Sequence, residues 1–327
     1  MPMKKYPLIL GLIILALSIL FFASIIWGEV YLSFPELWDG LRRTDPVVQS
    51  ILWNIRLPRA LVAMAVGASL SISGLMMQAY FKNPLASPGL LGVSSGGALG
   101  AVLYIGYGSN WLGMWGLPGA SMAGAFLATF LVLSLSEIGL GTQRLLLAGI
   151  ALNALLGAAT SFVLSLSVSS FERSGQILFW LLGSLEDRTW EHVWVSLPLT
   201  VVLGFFITSL GSPMNLLSLG ESGAQSLGVN VRQFRWKMII LSTLLTAVAT
   251  AVAGVIGFVG LIIPHIFRLL LGPDHKRLIP CCLIGGAAFL LGCDLISRTL
   301  NIGLRVGVIT SLIGGPFFLW LLQKRAV

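Results

Sequence analysis

The stretch LILGLIILALSILFFASII, residues Leu8 to Ile26, carries no charged side chain, and its only hydroxyls are Ser18 and Ser24. About twenty such residues in an α-helix cover the roughly 30 Å hydrocarbon core of a bilayer. Similar runs recur outward from it, near residues 60–81, 90–107, 111–134, 145–166, 193–210, 238–256, 258–271, 280–297 and 306–322. They make about ten crossings. A composition of 56% hydrophobic and only 10% charged residues says that the rest of the chain follows the first run. Closed β-barrels also span membranes, but their short alternating strands do not produce long continuous apolar runs. The expected fold class is therefore an all-α polytopic membrane protein.

Orientation follows from Lys and Arg, which are retained on the cytoplasmic side of a span. With the N-terminus inside, the inner loops hold Lys4, Lys5, Lys82, Arg144, Arg232, Arg235, Lys237, Arg268, Lys276, Arg277, Lys324 and Arg325 against Glu137, Glu221 and Asp274. Every lysine falls inside, and both termini are expected there. The outer loops hold Arg42, Arg43, Arg56, Arg59, Arg173, Arg188, Arg298 and Arg305, balanced by nine acids that include Glu29, Glu186 and Asp294. The net charge of +8 is thus a topology signal. Its basic residues form no stripe or aromatic-interleaved patch, so no nucleic-acid partner is expected. Met1 to Gly28 has the basic start of a signal peptide. Its apolar run is longer than an h-region and no A-x-A site follows, so it reads as a retained span. Cys281, Cys282 and Cys293 share one expected helix and read as packing residues.

Glycines cluster at Gly92, Gly96, Gly97 and Gly100 in one expected helix, and at Gly254, Gly257 and Gly260 around another. Small residues allow helix backbones to approach closely in lipid. The loop at residues 28–57 is long and mixed, with Trp27, Tyr31, Phe34, Trp38 and Trp53 as interface anchors. It ends at Arg56-Leu57-Pro58-Arg59, where Pro58 is expected to start a helix. From Ser212 to Asn230 two short helices are expected: Ser212 as N-cap with Pro213 at the first helical position, Gly220 closing in a left-handed cap, then Glu221 to Leu227 stopped by Gly228. Neither is long enough to span. Leu216, Leu217, Leu219 and Leu227 are placed in water, which points to a partner or to a helix lying on lipid.

Chemistry-bearing motifs are few. The string Gly223 to Gly228 lacks the Lys of a phosphate-binding loop, and His192, His265 and His275 are too scattered for zinc. Gly92-Val93-Ser94-Ser95-Gly96 matches the serine-hydrolase string, but the strand-to-helix elbow that gives it meaning is absent from an all-helical chain. Catalysis, metal binding and cofactor binding are not expected. Ion-coupled secondary transport is the rival reading, yet such carriers use ionisable relays deep in the bilayer, and the mid-span windows here hold almost none. In the fifth span Asn153, Gly157, Thr160 and Ser161 fall at i, i+4, i+7 and i+8 on one face. A bundle interior and a pathway wall both have this pattern.

Taken in order, Ile55-Arg56-Leu57-Pro58-Arg59, Gln78 with Asn83-Pro84-Leu85-Ala86, Pro88-Gly89-Leu90-Leu91-Gly92-Val93, and Arg144 to Gly149 resemble the permease subunits of bacterial ABC importers for vitamin B12, ferric siderophores and haem. So do Leu219-Gly220 through Leu227-Gly228, Gly257 to Arg268 and Asp274-His275-Lys276. The resemblance covers the whole chain and implies one permease domain over residues 1–327, with about ten spans as in the vitamin B12 importer permease. It implies a homodimer in the cell inner membrane, two cytoplasmic ABC ATPase subunits that bind ATP and Mg, and a periplasmic substrate-binding protein.

The same likeness implies roles for individual residues. Ser212, Pro213, Met214, Leu216, Leu217, Leu219, Gly220, Glu221, Ala224, Leu227 and Gly228 would dock into the ATPase. Arg56, Arg59 and Arg298 would meet acidic residues of the binding protein. Asn153, Gly157, Thr160 and Ser161 would line the pathway, with Thr142 and Gln143 at its cytoplasmic constriction. One departure stands out: Gly303-Leu304-Arg305-Val306-Gly307 occupies the place where the family often reads Glu-Leu-Pro-Ile-Gly.

Overall fold

The computed structural model describes residues 5–28, 30–42, 44–108, 110–136, 142–168, 170–300 and 303–325. Of the charges used for orientation, Lys4, Glu29, Arg43 and Glu137 lie outside the described residues. The elements in chain order are α1 (Tyr6–Ile26), α2 (Phe34–Arg42), α3 (Pro46–Ser50), a π-helical stretch Ile51–Arg56, and α4 (Leu57–Phe81). A 3-10 turn Pro88–Leu91 leads into α5 (Val93–Tyr107), and another, Asn110–Trp115, into α6 (Gly116–Ser136). There follow α7 (Thr142–Leu166), α8 (Phe171–Leu181), α9 (Trp190–Thr208), α10 (Gly211–Ser218), α11 (Glu221–Ser226), α12 (Val231–Ala253), α13 (Val259–Leu271), α14 (His275–Thr299) and α15 (Val306–Arg325).

Among the described residues seven helical runs are long and apolar enough to cross a membrane, and α5, α13 and α15 are shorter apolar helices. Together they account for the expected crossings, so the all-α membrane fold is observed. The unexpected helices are short ones between spans. In α2 the Glu36 carboxylate accepts from the Ser33 N–H and hydroxyl, 2.7 Å each, half of a capping box. Trp27, Tyr31, Phe34 and Trp38 are exposed as anchors should be, whereas Trp53 is half-buried and its carbonyl accepts from the Trp190 indole at 2.8 Å.

Pro58 does not start its helix. The helix begins at Pro46, capped by Asp45, whose carboxylate accepts from the Val47 and Val48 N–H groups. It then runs without a break through Pro46–Phe81. A proline inside a helix removes one N–H and presses on the carbonyl a turn earlier. The widened π stretch directly before Pro58 accommodates it.

The chain forms two compact units that interleave in sequence. The first comprises Met1–Ile72, Ser184–Gly211 and Gly257–Val327. Within it Gly67 of α4 and Gly286 of α14 abut so closely that a Cβ on either would overlap the other's carbonyl oxygen. The Ser69 and Thr200 hydroxyls of α4 and α9 lie 2.7 Å apart. Phe258, at φ 68°, takes a backbone conformation that an aromatic residue rarely adopts, with its ring in the space a Cβ on Gly314 would need.

Asp294 of α14 is wholly buried. Arg59 of α4 grips both of its oxygens, with Nη2 at 2.8 Å from Oδ1 and Nε at 2.9 and 3.2 Å from Oδ1 and Oδ2. Arg298, one turn further along α14, approaches Oδ2 at 3.1 Å and donates to the Ser24 hydroxyl of α1 at 2.6 Å. Two cations thus neutralise one carboxylate and tie three helices together.

The second unit comprises Ser73–Gly183 and Ser212–Ile256. Its centre is the α5–α6 pair, where Gly96 and Gly100 face Gly124 and the Ala120 carbonyl with no room for a side chain. Gly149 of α7 approaches the Leu90 carbonyl in the same way. Gly92 is not within the helix as expected. At φ 77° it ends the 3-10 turn and opens α5. Gly254 and Gly257 likewise sit in the break between α12 and α13, and only Gly260 of that set is helical.

Two outcomes test this packing. Gly100→Ala is expected to lower the melting temperature of the detergent-solubilised chain by overpacking worth about 1–3 kcal/mol. Gly175→Ala, where a Cβ meets nothing within 4 Å, should leave it unchanged or raise it. Asp294→Ala strands two buried guanidinium groups and is expected to cost about 3–5 kcal/mol in the same assay. Replacing all three charged residues by apolar ones together should recover part of that loss.

Candidate functional site

The α10–α11 segment is local in origin. Helix α10 begins at Gly211, so Ser212 lies in the first turn and is not the N-cap expected for it, and Pro213 sits beside it. Pro costs nothing there, because the first N–H groups of a helix have no intrahelical acceptor. Gly220 has φ 108° and ψ 163°, an extended conformation that only glycine adopts readily, in place of the left-handed cap expected. Gly228 at φ 85° closes α11, with the Val229 N–H donating to the Ala224 carbonyl at 3.0 Å.

Met214, Leu217 and Ala224 are buried anchors, which corrects the expectation that Leu217 faces water. Leu216 is half-buried. Leu219 and Leu227 are 69% and 59% exposed, and neither belongs to a helix long enough to span. Glu221 is also exposed, its carboxylate 2.6 Å from Nη2 of Arg235.

A cleft of about 390 Å³ opens beside α7, lined by Ser94, Ser95, Asn153, Gly157 and Thr160 with Leu181 and Val255. No charged side chain is among the described residues lining it. Asn153 is held by two bonds, donating to the Gly89 carbonyl at 2.9 Å and accepting from the Ser95 hydroxyl. A Cβ on Gly157 would meet nothing within 4 Å. Thr160 turns its hydroxyl back to the Leu156 carbonyl at 2.8 Å. The helical spacing therefore brings together three of its four residues, while Ser161 is exposed and outside the cleft. Gln143 lies exposed in the first turn of α7, away from the cleft lining, and the Thr142 side chain lies outside the described residues. Ser95 of the hydrolase-like string is committed to Asn153, and Ser94 beside it lines a cleft without histidine among the described residues.

A second cavity, about 490 Å³, is lined by Arg56, Arg59, Arg188 and Arg298 with Glu186 and Asp187. Arg56, Arg59 and Arg298 are only 4%, 8% and 7% exposed, and each has partners inside the protein. Arg56 donates to the carbonyls of Ile25 and Ile26 at the end of α1 and to that of Val30 in the loop beyond it. Arg59 and Arg298 are engaged by Asp294. Guanidinium groups beside apolar surroundings find internal acceptors first.

Burial pulls the Arg188 guanidinium below its ordinary pKa, and Asp187 beside it works the other way. Arg305, the departure noted in the sequence, pairs with Glu186, which supplies from the loop before α9 an acid missing from its own loop. Sequence reasoning missed both this pair and Asp294. For Asp294 the only local signal was its i, i+4 spacing to Arg298.

Comparison with known proteins places this geometry. The FecCD transport family matches residues 16–324. The chain is 42% identical to the hemin transport system permease protein HmuU of Yersinia pestis, over 97% of this chain and 96% of that one. It is 40% identical to the vitamin B12 import system permease protein BtuC of Klebsiella pneumoniae, over 84% and 83% of the two chains. A solved inward-facing metal-chelate type ABC transporter superposes with a TM-score of 0.88 at 36% identity, covering 97% of this chain and 99% of the other. PsaBC from Streptococcus pneumoniae shares the fold at a TM-score of 0.59 and 16% identity. On a match that runs through nearly its whole length, the chain belongs to the FecCD transport family, the transmembrane permeases of ABC importers.

Proposed function

We propose that this chain moves a bulky metal chelate, such as haem, a ferric siderophore or cobalamin, from a periplasmic binding protein into the cytoplasm by alternating access. Two copies form the pathway, the two compact units of each copy acting as one permease domain. The permease spans the inner membrane with both termini in the cytoplasm. Two ATPase subunits bind ATP and Mg, and this chain binds no nucleotide, metal or nucleic acid of its own.

The observation that carries this reading is the pair of exposed leucines, Leu219 and Leu227, at the C-terminal ends of two short helices anchored by Met214, Leu217 and Ala224. A segment that shows large apolar groups outside any span fits a docking surface. The lysine-rich loops expected inside support a cytoplasmic location, and the likeness to permeases of haem and vitamin B12 importers supports an ATPase as its partner. The uncharged cleft with Asn153 and Thr160 fits the pathway, since weak neutral contacts let a large ligand pass without being trapped. The binding protein meets the surface that Arg56, Arg59 and Arg298 brace from beneath.

A chain with Leu219→Asp and Leu227→Asp is expected to insert in normal amounts while copurifying ATPase falls at least tenfold, about 1.4 kcal/mol or more of docking energy, and ATP-driven uptake is lost. Uphill uptake by the purified chain alone under a proton or sodium gradient would replace this reading with an ion-coupled carrier.

A further inference from the structure

The geometry points to Arg235 as the positioning residue that transmits motion of α11 to the membrane helices α4 and α12, through an ion pair on one side and an aromatic ring on the other. This rests on the proposed docking of α10–α11 to an ATPase and names how the force leaves that segment. Helix α11 is two turns long and flanked by Gly220 and Gly228, both at positive φ. Backbone at such glycines turns easily, so it carries little force by itself. Of the residues of α11 only Ala224 is buried.

The side-chain ion pair from α11 is Glu221 to Arg235, at 2.6 Å. Arg235 is not a surface charge, since its side chain is 13% exposed against 48% for Glu221. Its guanidinium lies 5.6 Å from the ring centroid of Tyr80, itself 4% exposed in the last turn of α4. One side chain on α12 therefore touches both the moving segment and the end of a span.

Seven residues along each helix the contact is repeated in another chemistry. Ser73 lies seven residues before Tyr80, and Ser242 seven residues after Arg235, spacings that return to the same helix face about 10 Å away. There the Ser73 hydroxyl is 2.6 Å from both the Ser242 and the Thr246 hydroxyls. The facing surfaces of α4 and α12 are thus pinned at two levels and move as a body. A pull on Glu221 reaches that body through Arg235.

The test uses the whole transporter in liposomes, comparing substrate uptake with ATP hydrolysis. Arg235→Gln is expected to leave ATPase copurification and hydrolysis within about twofold of the parent while uptake per ATP falls on the order of fivefold or more. Arg235→Lys keeps the ion pair and should retain most of the coupling ratio. The exchange Glu221→Arg with Arg235→Glu should restore at least half of it. Parent-like uptake per ATP in Arg235→Gln overturns the proposal, as does failure of the exchange to restore any. Hydrolysis and uptake that fall together, with less ATPase retained, overturn it in favour of a purely structural role. Uptake by the parent chain without any ATPase overturns the docking reading on which it rests.

Discussion

A carboxylate with no access to water survives only where cations meet it, and Asp294 is such a group. Arg59 and Arg298 are both needed, one to neutralise the acid and the other to carry the link on to Ser24. The arrangement leaves a net positive charge, and Arg56 adds another while it closes the carbonyl end of α1. Much of the first unit is organised around this cluster. It joins α1, α4 and α14, and it commits Arg59 and Arg298 to contacts inside the protein.

The second unit solves a different problem. Lipid gives helices no hydrophobic reason to associate, so packing must come from close backbone contact and buried hydroxyls. The contacts of Gly96, Gly100 and Gly124 supply the first, and Ser73, Ser242 and Thr246 the second. Helix α5 sets the Ser95 hydroxyl against Asn153, and the described residues lining the largely apolar cleft carry no charge. A wall of that kind offers only weak, neutral contacts.

Spans and short helices were legible because each depends on residues close in sequence. The run from Leu8 to Ile26 is helical whatever surrounds it, since hydrocarbon leaves the backbone no other way to satisfy its N–H and C=O groups. Gly228 stops α11 for an equally local reason, its positive φ. The face shared by Asn153, Gly157 and Thr160 followed from helical periodicity, and Ser161 dropped out because i+8 lies at the edge of such a face, where neighbouring helices decide exposure. Pro58 was misread as a helix start because a π stretch that absorbs a proline leaves no mark in composition.

Burial and pairing were hidden for a common reason. Arg59 and Asp294 are 235 residues apart, and nothing in either neighbourhood names the other. The same holds for Arg305 with Glu186 and for Leu217, which looks no different from Leu219 until packing covers one and leaves the other in the open. Run length and charge asymmetry were enough to establish a many-span helical protein with a lysine-rich side, because both are sums over neighbouring residues. Which charges are spent inside the protein and which groups remain free to meet a partner was settled only by tertiary packing, where desolvation makes each buried polar atom depend on a distant one.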